Sequence, residues 1–229
     1  MPPPSPRTSP RRGSGDTGGA SELISAARKE LANTHPESFK ILCLALFAGL
    51  RRREIDLLEW TSFQWESGEL RLQPTQYFSP KSEDSIGTIP LESELVALFR
   101  GYHAKSRGSF VIESKHRPRN NTTFSYYRCE QHCEFLTNWL RKHGVISLKP
   151  LHTLRKEYGS QLCTRAGIFA ASRGLRHADI GITSEYYTDS KARAVTGLGH
   201  LLSDEQKIIS MPVPAGKMRK HSKLSRRSN

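Results

Sequence analysis

Apolar residues Phe39, Leu42, Cys43, Leu46 and Phe47 recur at the three- and four-residue spacing of a helix face, and Pro36 stands just ahead of them. Proline suits a first helical turn, where its missing N–H would have no partner anyway. A helix is therefore predicted from Pro36 until Gly49 breaks it, after an earlier helix-compatible run from Ser21 to about residue 33. From Arg51 to Trp60, Ile55 and Leu58 mark a core-facing stripe with charged positions between them. The period then changes. Leu70 and Leu72 flank Arg71 in strand alternation after a Ser67-Gly68 turn, and a second apolar stretch, Ile86 to Ile89, follows the polar turn Ser82-Glu83-Asp84-Ser85. Strands are expected within Thr61 to Pro90, with Lys81 at the edge of the turn joining them. Helical pattern returns at 92–105, at about 123–143 up to Gly144, and from Pro150 to Gly167. Shorter helices are expected at about 169–176 and 179–188, with a further amphipathic one near 199–209. The prediction is a mainly α (α+β) fold: a helical domain with a small antiparallel β-sheet.

The two ends depart from this patterning. Residues 1–20, with Pro2-Pro3-Pro4 and a Gly/Ser cluster, cannot bury enough apolar surface to offset their ordering entropy and are expected to be disordered. Residues 211–229 read as a basic disordered tail, which leaves 21–210 as one catalytic-size domain within the 229 residues. The overall hydrophobic content of 36% and mean hydropathy of −0.57 are low because these polar ends dilute the middle.

The formal net charge is +13, of which +2 lies in residues 1–20, +6 in residues 213–229 and +5 in the body. A body still cationic after the tails are set aside fits a polyanion, and DNA is the natural one, since each neutralised phosphate releases counterions. Four cysteines at 43, 129, 133 and 163 do not form the dense framework of a small secreted domain, so a reducing compartment is expected. No apolar run approaches the roughly 20 residues of a membrane span, and the first residues do not resemble a signal peptide. A cytoplasmic, nucleoid-associated protein with no membrane partner is the expectation.

Cleaving a phosphodiester without a metal requires a nucleophile, cations on the nonbridging oxygens and an acid for the leaving oxygen. The chain can supply each. Arginine offers paired donors and a permanent charge, which makes Arg51 and Arg155 the expected phosphate clamp. Lys81, on a hairpin, suits a general acid. His152 and Arg155 are three residues apart, so on one helix they project from the same face. His177 follows Arg155 by 22 residues, and Tyr186 and Tyr187 follow it by nine and ten.

The segments Ala48-Gly49-Leu50-Arg51-Arg52-Arg53-Glu54, His152-Thr153-Leu154-Arg155 and Leu175-Arg176-His177, with the Tyr186-Tyr187-Thr188-Asp189 stretch, resemble in order and spacing the catalytic signature of the tyrosine recombinase, or phage integrase, family. The resemblance covers roughly residues 21–210. It implies that Arg51 and Arg155 bind the scissile phosphate, that His152 and His177 assist proton transfer and hydrogen bonding, and that Lys81 protonates the leaving oxygen. A tyrosine would form a covalent 3′-phosphotyrosine link. Tyr187, trailed by Thr188-Asp189, is the expected nucleophile and Tyr186 its alternative. Glu54 would orient the cluster. The implied reaction is site-specific DNA strand cleavage and rejoining, with double-stranded DNA and sister subunits as partners and no cofactor or metal. Two departures stand out: Arg176 replaces the usual glycine before the histidine, and no N-terminal helical DNA-binding domain is evident. The second makes a fragment, or a protein that depends on another component, the expectation. The alternatives are a type IB topoisomerase-like enzyme and a truncated, noncatalytic DNA-binding protein.

Other groups carry blander expectations. Arg52 and Arg53 read as solvated charges, and Tyr126, Tyr127, Phe135 and Trp139 as core packing at helical spacing. Cys129 and Cys133 share a helix face but lack a second ligand pair at zinc spacing. Cys43 and Cys163 read as buried small apolar residues.

Overall fold

A computed structural model of the chain describes residues 17–79, 86–119, 126–176 and 196–202. Helix α1 (Thr17–Leu31) buries Ile24, Ala27 and Leu31, one stripe at helical spacing. It begins four residues ahead of Ser21, so residues 17–20, expected to lack structure, are helical. Helix α2 (Pro36–Phe47) has proline in its first turn as predicted, but every residue from Ser38 to Phe47 is buried. The five-residue stripe read from the sequence is only part of its buried surface, because α2 is the central helix, in contact with α1, with α5 (Glu130–Lys142) and α6 (Pro150–Leu175), and with the short α3 (Arg52–Asp56). Its buried Lys40 is satisfied by the Val111 carbonyl at 2.6 Å and by Glu37 at 2.8 Å.

Gly49, at φ +61°, turns the chain from α2 into α3. The element expected to run from Arg51 to Trp60 is helical only to Asp56, and a 3-10 turn (Trp60–Ser62) leads into the sheet. Asp56 explains the early stop. Its carboxylate accepts the backbone N–H groups of Arg128 and Cys129 at 3.1 and 2.8 Å, and its own carbonyl accepts the Arg128 guanidinium at 2.7 Å. This junction pins α3 to the start of α5 (Glu130–Lys142), which therefore begins later than the expected residue 123 or so.

The sheet is antiparallel in the order β1 (Phe63–Gln64), β2 (Glu69–Leu72), β3 (Gly87–Pro90). Leu70, Leu72 and Ile89 turn inward, Leu70 pairs with both Phe63 and Ile89, and Arg71 faces solvent opposite Thr88. Gly68 makes the predicted turn at φ +64°. Helix α4 (Ser93–His103) closes over this side with Leu95 and Phe99, and Phe99 stacks on Phe63 at 5.4 Å between ring centroids.

Helix α6 (Pro150–Leu175) is interrupted at Gly167, where φ 82° and ψ 169° leave the helical region, so the expected division near that glycine is found. A 3-10 turn (Gly199–Leu202) covers α1 and α4, where only the front of the expected 199–209 helix is described. Cys163 is exposed, not buried as expected, since it lies on the outward face of α6. Of the four aromatics expected in the core only Trp139 is buried. Phe135 stacks on His35 near the surface, while Tyr126 and Tyr127 lie against the guanidinium groups of Arg119 and Arg52. No helix among the described residues is long and apolar enough to cross a membrane. The mainly α architecture with a small antiparallel sheet is the fold read from the sequence.

Candidate active site

Arg51 is the residue that caps α3, and Glu54, one turn on, accepts its backbone N–H at 2.7 Å. The same carboxylate takes the Arg51 guanidinium, Nη1 to Oε1 at 2.7 Å. Glu54 is buried while the Arg51 side chain stays 37% exposed, so a fixed base holds an arginine that can still meet a ligand.

Arg155 approaches from α6. Its chain is buried, and its two terminal nitrogens donate to the carbonyls of Gly49 and Leu175. Those bonds tie together the end of α2 and the end of α6, the two turns that bound the site. Burial, then the nearby charges of Arg51 and Arg176, push its pKa down to about 10, which still leaves it charged at neutral pH. His152 lies one turn before Arg155 and remains exposed. Partial shielding of its ring, followed by the charges of Lys156, Arg155, Lys149 and Arg51, lowers its pKa below the ordinary 6.5, so the imidazole is neutral at pH 7.

Arg51, His152 and Arg155 line one cleft of about 670 Å³, together with Arg52, Arg141 and Lys149. The predicted Arg51, Glu54, His152 and Arg155 therefore converge. Lys81, His177, Tyr186 and Tyr187 lie outside the described residues. Arg52, read as a solvated charge, borders this cleft, bonded to Glu130 and stacked 4.1 Å from the Tyr127 ring centroid. No group of three or more His, Cys, Asp or Glu side chains arranged to hold a metal occurs among the described residues; Cys129 and Cys133 lie 3.8 Å apart, sulfur to sulfur.

Arg176 and Tyr158 belong to the site's frame without having been assigned a place in it. Arg176 ends α6 at φ 52° and ψ 54°, the left-handed region, which costs an L-residue about 1–2 kcal/mol. A glycine there would avoid that cost, and the replacement of the family's usual glycine was the available signal. The Arg176 guanidinium is buried and meets Glu54 Oε2 at 2.6 Å, while its carbonyl accepts Arg51 Nη2 at 2.9 Å. Tyr158, one turn after Arg155, is buried against Gly49.

No protein-family model matches the sequence. A tyrosine recombinase XerC-like protein of Caldanaerobacter subterraneus subsp. tengcongensis is 25% identical over 190 aligned positions, covering 72% of this chain and 48% of the relative. The chain thus spans about half the length of that curated relative. Among solved structures, XerA recombinase shares the fold with a TM-score of 0.52 and 19% identity, over 85% of this chain and 68% of the other. The integrase of transposon Tn1549, solved with transposon right end DNA, matches at 0.52 and 15% identity, over 79% of this chain and 62% of its own. The chain is thus similar in sequence to a tyrosine recombinase XerC-like protein and shares its fold with XerA recombinase and the Tn1549 integrase.

Proposed function

We propose that the chain is the catalytic part of a site-specific DNA recombinase or integrase that cleaves and rejoins strands through a 3′-phosphotyrosine intermediate. The observation that carries this reading is the convergence of Arg51 and Arg155, held by buried partners at one cleft, with a neutral His152 beside them. Two guanidinium groups fixed before substrate arrives stabilise the charge that develops on the nonbridging oxygens, with little reorganisation left for the reaction itself. The hydroxyl of Tyr187, or of Tyr186, attacks phosphorus; its proton passes to a neutral histidine, and the bond to the 5′ oxygen breaks as Lys81 protonates it. The new P–O bond to tyrosine keeps the phosphodiester energy, so a 5′ hydroxyl can reverse the step and rejoin the strand. Duplex DNA is the substrate, and sister subunits supply the further strand cleavages that an exchange requires. The structure of the Tn1549 integrase with DNA supports a DNA partner for a protein of this fold.

A nicked suicide duplex, which traps the covalent species by losing the strand needed for reversal, tests the reading. Wild-type chain is expected to form a protein–DNA adduct, Tyr187→Phe to form none, and Tyr186→Phe to keep it. The reverse pattern would move the nucleophile to Tyr186, and no tyrosine-dependent adduct despite salt-sensitive DNA binding would leave only a DNA-binding role.

Proton uptake by neutral His152 also sets a pH dependence. Its proton is lost below the usual 6.5, so the acid limb of the cleavage rate should lie below that value. Lys156, an exposed neighbour whose charge contributes to the shift, gives a control: Lys156→Gln should move the limb upward toward 6.5. An unmoved limb would exclude His152 as the titrating group.

A further inference from the structure

Among the described residues Arg176 is the one side chain other than glycine held at positive φ. Glycine would satisfy that backbone without strain, so the arginine is explained by what its side chain reaches. It reaches Glu54. The pair, 2.6 Å apart and almost wholly buried, fixes the carboxylate that in turn grips Arg51 Nη1 and the Arg51 backbone N–H. The Arg176 carbonyl holds the other end of the same guanidinium through Nη2. Arg155 is oriented by the preceding carbonyl, that of Leu175. Both arginines of the phosphate clamp are therefore aligned on the Leu175–Arg176 corner, and among the described residues the guanidinium groups of Arg51 and Arg176 share the Glu54 carboxylate while Arg155 is held by carbonyls beside them, leaving a net positive cluster behind the cleft.

We propose that Arg176 is a positioning residue for DNA strand cleavage, orienting Arg51 through Glu54 and adding a third positive charge to the phosphate site. The inference rests on the proposed recombinase chemistry, and it separates from that chemistry in the test. Arg176→Gly relieves the backbone and leaves Glu54 paired with Arg51, so the fold is expected to survive. In single-turnover reactions on the nicked duplex, Arg176→Gly should keep the wild-type adduct amplitude and duplex affinity within about threefold, while the cleavage rate falls roughly 10- to 100-fold. Arg176→Lys, which keeps the charge, should recover part of the rate, and Arg176→Met should not. A wild-type rate in Arg176→Gly, or a reduced amplitude at unchanged rate, would overturn the positioning role. If the wild-type chain forms no adduct, the recombinase reading fails, and titration with inorganic phosphate decides the inference alone. Weaker phosphate binding in Arg176→Gly, restored in part by Arg176→Lys, supports an anion site built on this corner; equal binding in all variants overturns it.

Discussion

Glu54→Gln is expected to destabilise the fold by about 3–5 kcal/mol, the usual cost of removing one partner from a buried ion pair. Among the described residues Glu54 is the carboxylate that meets the guanidinium groups of Arg51 and Arg176, and both of its oxygens are engaged. Glutamine has nearly the same shape but only one carbonyl oxygen, and its amide would point donors at donors. The Arg176 charge would then lie buried, repelled by Arg51, without the partner that compensates its desolvation. Such a loss is a large share of the 5–15 kcal/mol that holds a typical domain together, so the urea midpoint should fall steeply. The double variant Glu54→Gln/Arg176→Met fixes the cause. Removing the stranded charge should make it more stable than Glu54→Gln alone, whereas an additive or greater loss would show that the pair does not govern the effect. Strand cleavage should be lost in both, since Arg51 has lost its anchor.

What could be read in the chain beforehand was local. Pro36 and Gly49 bound α2, Leu70 and Leu72 alternate about Arg71, and Gly167 interrupts α6, because proline, glycine and the two hydrophobic periods act within a few residues. Arg51, Glu54, His152 and Arg155 could be matched as motifs, and their convergence follows from α3 and α6 both packing against α2, with Arg155 bonded to the Gly49 carbonyl beside Arg51. Pairing over long separations was hidden. Arg176 meets Glu54 across 122 positions, and Arg128 reaches the Asp56 carbonyl across 72, so neither composition nor period marks these arginines as buried. Cys163 was misread for the same reason: its face of α6 depends on where the neighbouring helices stop. The later start of α5 likewise follows from a tertiary contact at Asp56 that overrides the helical pattern at residues 126–129.

Gly49→Ala joins a backbone demand to a steric one, and both act on α6, the helix that carries His152 and Arg155. At φ +61° an alanine pays about 1–2 kcal/mol for the left-handed conformation. Its Cβ would also fall 2.4 Å from Cδ1 and 2.6 Å from Cε1 of Tyr158, closer than any tolerable contact. Tyr158 is buried and cannot swing into solvent, so the ring and α6 must shift together. Overpacking of this kind typically adds about 1–3 kcal/mol, for a total loss of roughly 2–5 kcal/mol. The shift also pulls Arg155 from the Gly49 carbonyl it grips, and a displacement near 1 Å at the phosphate site can cost on the order of 100-fold in rate. Denaturant unfolding and adduct formation should both register the change. A double-mutant cycle with Tyr158→Leu separates the two terms: the smaller side chain removes the clash but leaves the φ strain, so the double variant should be more stable than the sum of the singles by at least about 1 kcal/mol. Additive losses would mean that the ring yields freely, and the rate defect of Gly49→Ala would then have to come from the backbone alone.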